Sequence, residues 1–289
     1  MSFTLHFPTR LEEAWDLLEQ GPPGASLPIA GGTDLLLGLD FGRFAPERLV
    51  SLSRLPLQRL EFGRDGVRIG SMLPLRTLEL DERVRKGVPA LAQAINEVGS
   101  VQLRHRATLG GNVVRASATS DLLPPLVALE TELTLVSRGG RRTVRLEGFV
   151  EGSWKTGLRV GEIVEELHVP SPRPGTYQWQ RVRPANDISQ VGVAVVRHPK
   201  NGGGPSVRWR IVAGGTAGSF QRLTRAEACL ERDEPSEREV AEAAREAAGE
   251  AKFLTDLRAA EEYRRHLLRV LVRRGIERTV RSAATAGGG

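Results

Sequence analysis

Pro28-Ile29-Ala30-Gly31-Gly32-Thr33-Asp34-Leu35 is a short apolar strand running into a glycine pair, followed by Leu35-Leu36-Leu37-Gly38-Leu39, which reads as a buried helical turn. A strand, two glycines and a helix in that order leave backbone N–H groups with no Cβ in front of them, a geometry that suits an anionic phosphate. The glycines permit close backbone approach and Thr33 adds a hydroxyl donor without charge. A glycine pair needed only for a tight strand-to-helix turn explains this stretch equally well. About eighty residues on, Ala107-Thr108-Leu109-Gly110-Gly111-Asn112-Val113 repeats the chemistry in what reads as a different structural unit. Two such loops facing each other across a cleft suit a diphosphate.

Working outward, Phe3 to Phe7 reads as a strand and Arg10 to Glu19 as a helix with Leu11, Ala14, Leu17 and Leu18 on one face, with Thr9 as its cap. Leu27 to Ala30 and Arg48 to Leu52 complete a small α/β unit over residues 1–55. A second unit, 56–172, opens with the hairpin Leu60–Gly63 and Val67–Gly70 around Arg64-Asp65-Gly66. It continues with helices at Ala90–Val98 and Leu122–Leu129 and strands at Glu132–Val136, Arg142–Leu146 and Ile163–Val169. Pro170-Ser171-Pro172-Arg173-Pro174-Gly175 is the best linker. Beyond it, residues 176–282 read as three antiparallel strands, Thr176–Arg183, Ser189–His198 and Ser206–Ala213, the last two joined by Asn201-Gly202-Gly203-Gly204. Three helices follow, Arg222–Arg232, Ser236–Ala248 and Ala260–Arg281, the last presenting Tyr263, Leu267, Val270 and Leu271. Residues 283–289 read as a mobile tail. No repeat of fixed period is apparent.

Composition removes several classes of function. The chain has 289 residues, 40% of them hydrophobic, enough for one large core or a few small ones. No apolar run approaches the roughly 20 residues that span a bilayer, and the N-terminus lacks the basic and apolar regions of a secretory signal, so a cytoplasmic protein is expected. Cys229 is the single cysteine, which excludes an internal disulfide and any cysteine-rich iron–sulfur or zinc site carried by this chain alone. His6, His105, His168, His198 and His266 show no i, i+4 pairing and read as non-ligands. The net charge of +6 is spread along the chain, mostly as Arg among acids, without the aromatic-basic platform of a nucleic-acid binder. Rossmann, P-loop, Gly-x-Ser-x-Gly and His-Glu-x-x-His patterns are all missing. Asp121, just ahead of Leu122–Leu129, has the chemistry to accept from ribose hydroxyls, but spacing alone favours a helix N-cap.

The sequence resembles the FAD-binding, or medium, subunits of the xanthine dehydrogenase and carbon monoxide dehydrogenase group. The resemblance rests on Ala30-Gly31-Gly32-Thr33-Asp34-Leu35 and on the run Gln102-Leu103-Arg104-His105-Arg106-Ala107-Thr108-Leu109-Gly110-Gly111-Asn112 with Ala116-Ser117 and Ser120-Asp121-Leu122-Leu123-Pro124. It continues through Glu162-Ile163-Val164, Val169-Pro170, Asn186-Asp187-Ile188, Asp256-Leu257-Arg258-Ala259 and Glu262-Tyr263-Arg264-Arg265. It implies an α+β protein: a two-subdomain FAD-binding fold of the vanillyl-alcohol-oxidase-like (PCMH) type, then a C-terminal α+β domain with the three-stranded antiparallel sheet and helices. Residues Ile29, Ala30, Gly31, Gly32, Thr33, Asp34 and Leu35, with Thr108, Gly110, Gly111 and Asn112, would wrap the FAD diphosphate. Ser117 and Asp121 would meet the nucleotide half, Asp121 at ribose. Val164 would offer a main-chain contact near adenine, and Asp187 and Ile188 would close over the flavin ring. Two positions depart from the family: His105 stands where Asn is usual, and Trp179 near where a flavin-adjacent lysine is common, so no lysine role is carried over.

The resemblance further implies an oxidoreductase subunit without a catalytic acid or base of its own. Its FAD would take electrons from [2Fe–2S] clusters of a small subunit, fed by a molybdenum-cofactor large subunit, and pass them to NAD, a quinone or oxygen. The alternatives are a self-contained flavin oxidoreductase, for which no acid/base cluster is visible, and a flavin-free scaffold, against which the two intact glycine loops argue.

Overall fold

The computed structural model describes residues 2–170, 173–184, 186–199 and 207–286. The chain opens with β1 (Thr4–His6), α1 (Leu11–Leu18), β2 (Ser26–Ile29), α2 (Leu35–Asp40) and β3 (Arg48–Ser51), whose strands form a parallel sheet in the order β1-β3-β2. Central β3 is buried along most of its length, so Arg48-Leu49-Val50-Ser51 shows little alternation. Helix α1 packs Ala14 and Trp15 inward, but Thr9 does not cap it. Arg10 holds the cap position, and the Thr9 N–H and hydroxyl both donate to the Glu13 carboxylate, at 2.9 and 3.3 Å, so the hydroxyl is engaged as a donor and not as a cap acceptor. In α2, contrary to a buried turn, Leu36 and Leu37 are about half exposed and only Gly38 and Leu39 are buried. A single short helix against this small sheet can cover only one of its own faces.

The next stretch holds β4 (Leu60–Gly63), β5 (Gly66–Gly70), then α3 (Leu75–Leu80), α4 (Glu82–Gly87), α5 (Pro89–Glu97), α6 (Val101–Arg106), α7 (Leu109–Arg115) and α8 (Leu123–Ala128). It ends with β6 (Glu132–Ser137), β7 (Gly140–Arg145), α9 (Leu146–Phe149), β8 (Val150–Gly152), β9 (Lys155–Thr156) and β10 (Ile163–Pro170). Strands β4-β5-β10-β6-β7 form an antiparallel sheet, and β8-β9 a small hairpin. Five of these helices, α3, α4, α6, α7 and α9, were not expected. Each has only four to seven residues, too few for a 3.6-residue period to show. The first core cluster joins the two sheets: Trp15, Val50 and Leu52 pack with Met72, Val136 and Ile163.

The remainder is β11 (Gly175–Gln180), β12 (Val191–Pro199), β13 (Val207–Gly214), β14 (Phe220–Arg222), α10 (Thr224–Ala228), α11 (Glu237–Glu250) and α12 (Glu261–Ala286). Pro170 ends β10 and Gly175 opens β11, so the expected linker is short; its Ser171 and Pro172, the turn Asn201–Gly204 and Ser206 lie outside the described residues. The sheet, β11-β12-β13-β14, has a fourth strand beyond the expected three. Arg222 belongs to that strand, pairing with Val212, and not to the following helix. Strand β12 shows what holds the parts together. Val191, Val193 and Val195 face the core formed with α10, α11 and α12, whereas Ala194 and Val196 join the core of the preceding helices and sheet. Buried on both faces, it reads as an unbroken apolar run, each valine contributing roughly 1.5–3 kcal/mol.

A charged latch crosses the same boundary. Glu130, in the left-handed region (φ 57°), accepts from Arg208 at 2.7 and 2.5 Å and from Arg210 at 2.7 Å. Burial opposes its ionisation, but the two guanidinium groups outweigh that and hold the carboxyl at about 2. Helix α12 exposes Tyr263 and buries Arg264 in its place, with Arg264 Nη1 donating to the Gln190 carbonyl at 2.7 Å and Nη2 to Asp256 at 2.6 Å. With its guanidinium satisfied by these acceptors, Arg264 is buried on the face where the helical pattern placed Tyr263. The helix backbone runs on to Ala286, into the expected tail, as alanine-rich sequence favours; residues 287–289 lie outside the described residues. Among the described residues, no helix is long and apolar enough to cross a membrane.

Candidate functional site

The two glycine loops meet. A Cβ on Gly31 would stand 1.9 Å from the Arg106 carbonyl oxygen and 3.1 Å from the Ala107 Cα, so the first loop lies directly on the backbone leading into the second. Only glycine allows that approach. Gly110 is equally tight against Ser71, where a Cβ would lie 2.5 Å from the serine Cβ. Between and beyond the loops runs a cleft of about 530 Å³, within the range of small-molecule and cofactor sites. Its walls include Ala30, Gly31, Gly32, Thr33, Asp34 and Leu35 on one side and Thr108, Gly110, Gly111 and Asn112 on the other, with Val164 of β10 also exposed to it.

The loops present different chemistry. In the second, Thr108 is the N-cap of α7 and its Oγ1 accepts from the Gly111 N–H at 3.1 Å. The Leu109 N–H donates to Leu73 O at 3.3 Å, Gly110 to Ser71 O at 2.9 Å and Asn112 to Thr108 O at 3.1 Å. Its amides are therefore turned inward and satisfied, against the expectation of exposed donors here. The first loop keeps its donors: among the described residues, none of the N–H groups of Gly31, Gly32, Thr33 and Asp34 has an acceptor. The Thr33 hydroxyl and the Asn112 side-chain N–H₂ also lack partners among the described residues, while Asn112 Oδ1 accepts from Ser120 Oγ at 2.6 Å. A row of part-exposed amides without protein acceptors, in the wall of a cleft, suits an anionic or carbonyl-bearing occupant.

Five expected residues do not line this cleft. Ile29 ends β2, and its carbonyl accepts from the Leu52 N–H at 3.0 Å. Ser117 Oγ pairs with Thr119 Oγ1 at 3.1 Å. Asp121 is buried where α8 meets the last sheet, its Oδ1 accepting from Tyr177 and Ser189 hydroxyls, both at 2.6 Å. It does not cap α8; Ser120 Oγ accepts from the Leu122 and Leu123 amides instead. Burial pushes the Asp121 carboxyl up despite both hydroxyls, and burial with the neighbouring carboxylate pushes the Tyr177 phenol well above its usual range. Asp187 organises its own loop, accepting from the Val182, Arg183 and Ile188 amides at 3.1, 2.9 and 2.9 Å, contacts that hold it at about 2, the Arg183 amide foremost. Ile188 beside it is about half exposed. Of the departures, His105 is exposed on α6, and Trp179 stacks on Tyr177 with centroids 5.9 Å apart at 11°.

Sequence reasoning missed Arg115, Trp154 and Lys155, which line the cleft from α7 and the β8-β9 hairpin. Arg115 lies within the long signature but carries no glycine or threonine to draw notice. Trp154 has no local pattern at all, since the hairpin reaches the cleft only through the tertiary fold.

Fold and site together define an α+β protein with a cofactor-sized cleft and a separate C-terminal sheet, and comparison with known proteins fixes the family. Residues 1–172 match the family described as the FAD binding domain in molybdopterin dehydrogenase, and residues 176–279 the CO dehydrogenase flavoprotein C-terminal domain. The chain belongs to this family of FAD-binding medium subunits of molybdenum hydroxylases; it is an oxidoreductase subunit and its cofactor is FAD. It is 33% identical to the nicotine 6-hydroxylase medium subunit of Paenarthrobacter nicotinovorans over 93% of this chain and 94% of that one. It is 30% identical to the xanthine dehydrogenase FAD-binding subunit of Escherichia coli O157:H7, covering 98% and 97% of the two chains. In structure it is similar to a chain of carbon monoxide dehydrogenase from Hydrogenophaga pseudoflava, with a TM-score of 0.87, 27% identity, and 96% and 97% of the chains covered.

Proposed function

We propose that the cleft between the glycine loops holds the FAD diphosphate, and that the chain relays electrons within a heteromeric complex. They would come from [2Fe–2S] clusters of a small subunit, reduced by a molybdenum-cofactor large subunit, and leave to an external acceptor such as NAD, a quinone or oxygen. The observation that carries this reading is the orphaned amide row of residues 31–34 facing a cleft of cofactor size. When bound, FAD supplies the exchange between one-electron and two-electron carriers.

Everything else is done by this chain's own groups. The Gly31, Gly32, Thr33 and Asp34 amides and the Thr33 hydroxyl donate to phosphate oxygens. Thr108, Gly110 and Gly111 hold the facing wall in shape, and Asn112 adds a donor from it. Val164 offers main chain to the adenine side. Asp121 uses Oδ1 for Tyr177 and Ser189; its Oδ2, without a partner among the described residues, would accept from ribose where the nucleotide extends past the cleft lining. Asp187, accepting from the Val182, Arg183 and Ile188 amides, braces the backbone at Ile188, which would cover the flavin ring where the cofactor extends past the cleft lining. In this reading residues 1–55 and 56–172 are the two halves of the FAD-binding domain and 176–282 the C-terminal domain, working in the cytoplasm.

A self-contained flavin oxidoreductase would need a free acid or base in the cleft. The acids that line it are Asp34, paired with Arg115 at 2.9 Å, and Glu162, paired with Arg142 at 2.6 Å. The relay reading predicts that the purified full chain carries a flavin absorption band, releases FAD on denaturation, and copurifies with a large and a small subunit when the three are coexpressed. A chain that neither retains nor binds FAD would overturn it.

A further inference from the structure

The glycine loops hold no positive charge of their own, and the backbone amides of residues 109–112 in the second are already satisfied, yet a diphosphate is doubly anionic. Four charged side chains line the cleft: Asp34, Arg115, Lys155 and Glu162. Glu162 is taken up by Arg142, and the Lys155 side chain is 73% exposed and paired with Glu151 at 3.1 Å. Arg115 differs from Lys155 in being fixed, with its side chain only 18% exposed.

Three contacts fix it. Arg115 Nε donates to Asp34 Oδ1 at 2.9 Å, Nη1 donates to Ser153 Oγ at 3.3 Å, and Cζ sits 3.7 Å from the centroid of the Trp154 ring. Trp154 is held in turn: its N–H donates to the Arg115 carbonyl at 3.2 Å, and Phe44 meets it edge-on at 5.4 Å. Its backbone lies in the left-handed region (φ 61°), which a bulky residue keeps only where its surroundings impose it. Arg115 Nη2 has no hydrogen-bond partner among the described residues.

We propose that Arg115 is a cofactor-binding residue, its Nη2 edge supplying the positive charge to the diphosphate while the Trp154 indole and Asp34 set the plane of the guanidinium. The inference rests on the reading of the cleft as the FAD site. Stacking and a charge-assisted hydrogen bond are properties of a planar guanidinium, so lysine replaces it only in part. The same contact offsets the charge of Asp34, which would otherwise repel the phosphates, and leaves Nη2 as the donor for the ligand.

The test measures binding of FAD, ADP and riboflavin to the full-length apo-chain by fluorescence and calorimetry, for the natural protein, Arg115→Ala and Arg115→Lys. Arg115→Ala should weaken FAD and ADP about tenfold or more, leave riboflavin unchanged and flatten the salt dependence, with Arg115→Lys recovering part of the loss. Equal affinity for FAD in the natural and Arg115→Ala proteins, or an equal loss for riboflavin, would overturn the inference while leaving the FAD reading in place. A natural chain that binds no FAD at all would remove the reading beneath it. Should Arg115→Ala fail to fold, the salt series on the natural chain decides: ADP affinity insensitive to ionic strength refutes the charge contact.

Discussion

Two loops with nearly the same letters do different work. Ala30-Gly31-Gly32-Thr33 leaves its amides open to the cleft, whereas Thr108-Leu109-Gly110-Gly111 spends its own on Leu73, Ser71 and the Thr108 hydroxyl. The glycines of the first let it lie on the backbone of Arg106, and Gly110 of the second lets it lie on Ser71. A glycine pair therefore signals close backbone approach, and what is approached decides whether donors remain for a ligand.

The largest effect is expected from Gly31→Ala. The new methyl would meet a carbonyl that cannot move aside, forcing the loops apart, with a stability loss on the order of 3 kcal/mol and loss of retained flavin. Thermal melts and the flavin band of the purified chain would show both losses together. If flavin is lost with the melting temperature unchanged, the contact between loops is not structural.

Acid offers a loss of similar size made far from either loop. Glu130 has a folded value of about 2 against 4.5 when free, so its stabilisation is fully present above pH 4.5 and disappears as pH falls through 2, about 3 kcal/mol in all. Glu130→Gln should abolish that part of the acid transition, as followed by circular dichroism. Flavin release on acidification ahead of the structural transition would mean that the site, and not the latch, is the acid-sensitive part.

Thr108→Ala separates the loops more finely. It removes the acceptor of the Gly111 amide and should cost about 1 kcal/mol in denaturant midpoint, with Thr108→Ser restoring it. Thr33→Ala is the smallest in stability, within about 0.5 kcal/mol, because its hydroxyl has no partner among the described residues; its effect should fall on FAD affinity instead. The reverse pattern would exchange the roles assigned to the loops.

Much of this was legible in the sequence. The glycine loops, the hairpin Leu60–Gly70 and the apolar run at Val191–Val196 show directly in composition and period, and the long signature around Thr108 carries the family. Five short helices were not, since four to seven residues give no full repeat of a helical face. Nor was the direction of the Gly110 and Gly111 amides, which depends on Ser71 and Leu73 arriving from another part of the chain. Asp121 shows the same limit: spacing suggested a helix cap, but Ser120 takes that role and the carboxylate turns to Tyr177 and Ser189, some sixty residues away. Arg115 and Trp154 become neighbours only once the β8-β9 hairpin folds over α7.

Amide hydrogen exchange on the full-length chain, with and without FAD, tests the difference between the loops most directly. The amides of residues 31–34 should exchange fast in the apo-protein and become protected on FAD binding, while those of residues 109–112 are protected from the start and change little. Equal protection of both loops in the apo-protein, or FAD binding that leaves residues 31–34 unprotected, would contradict it.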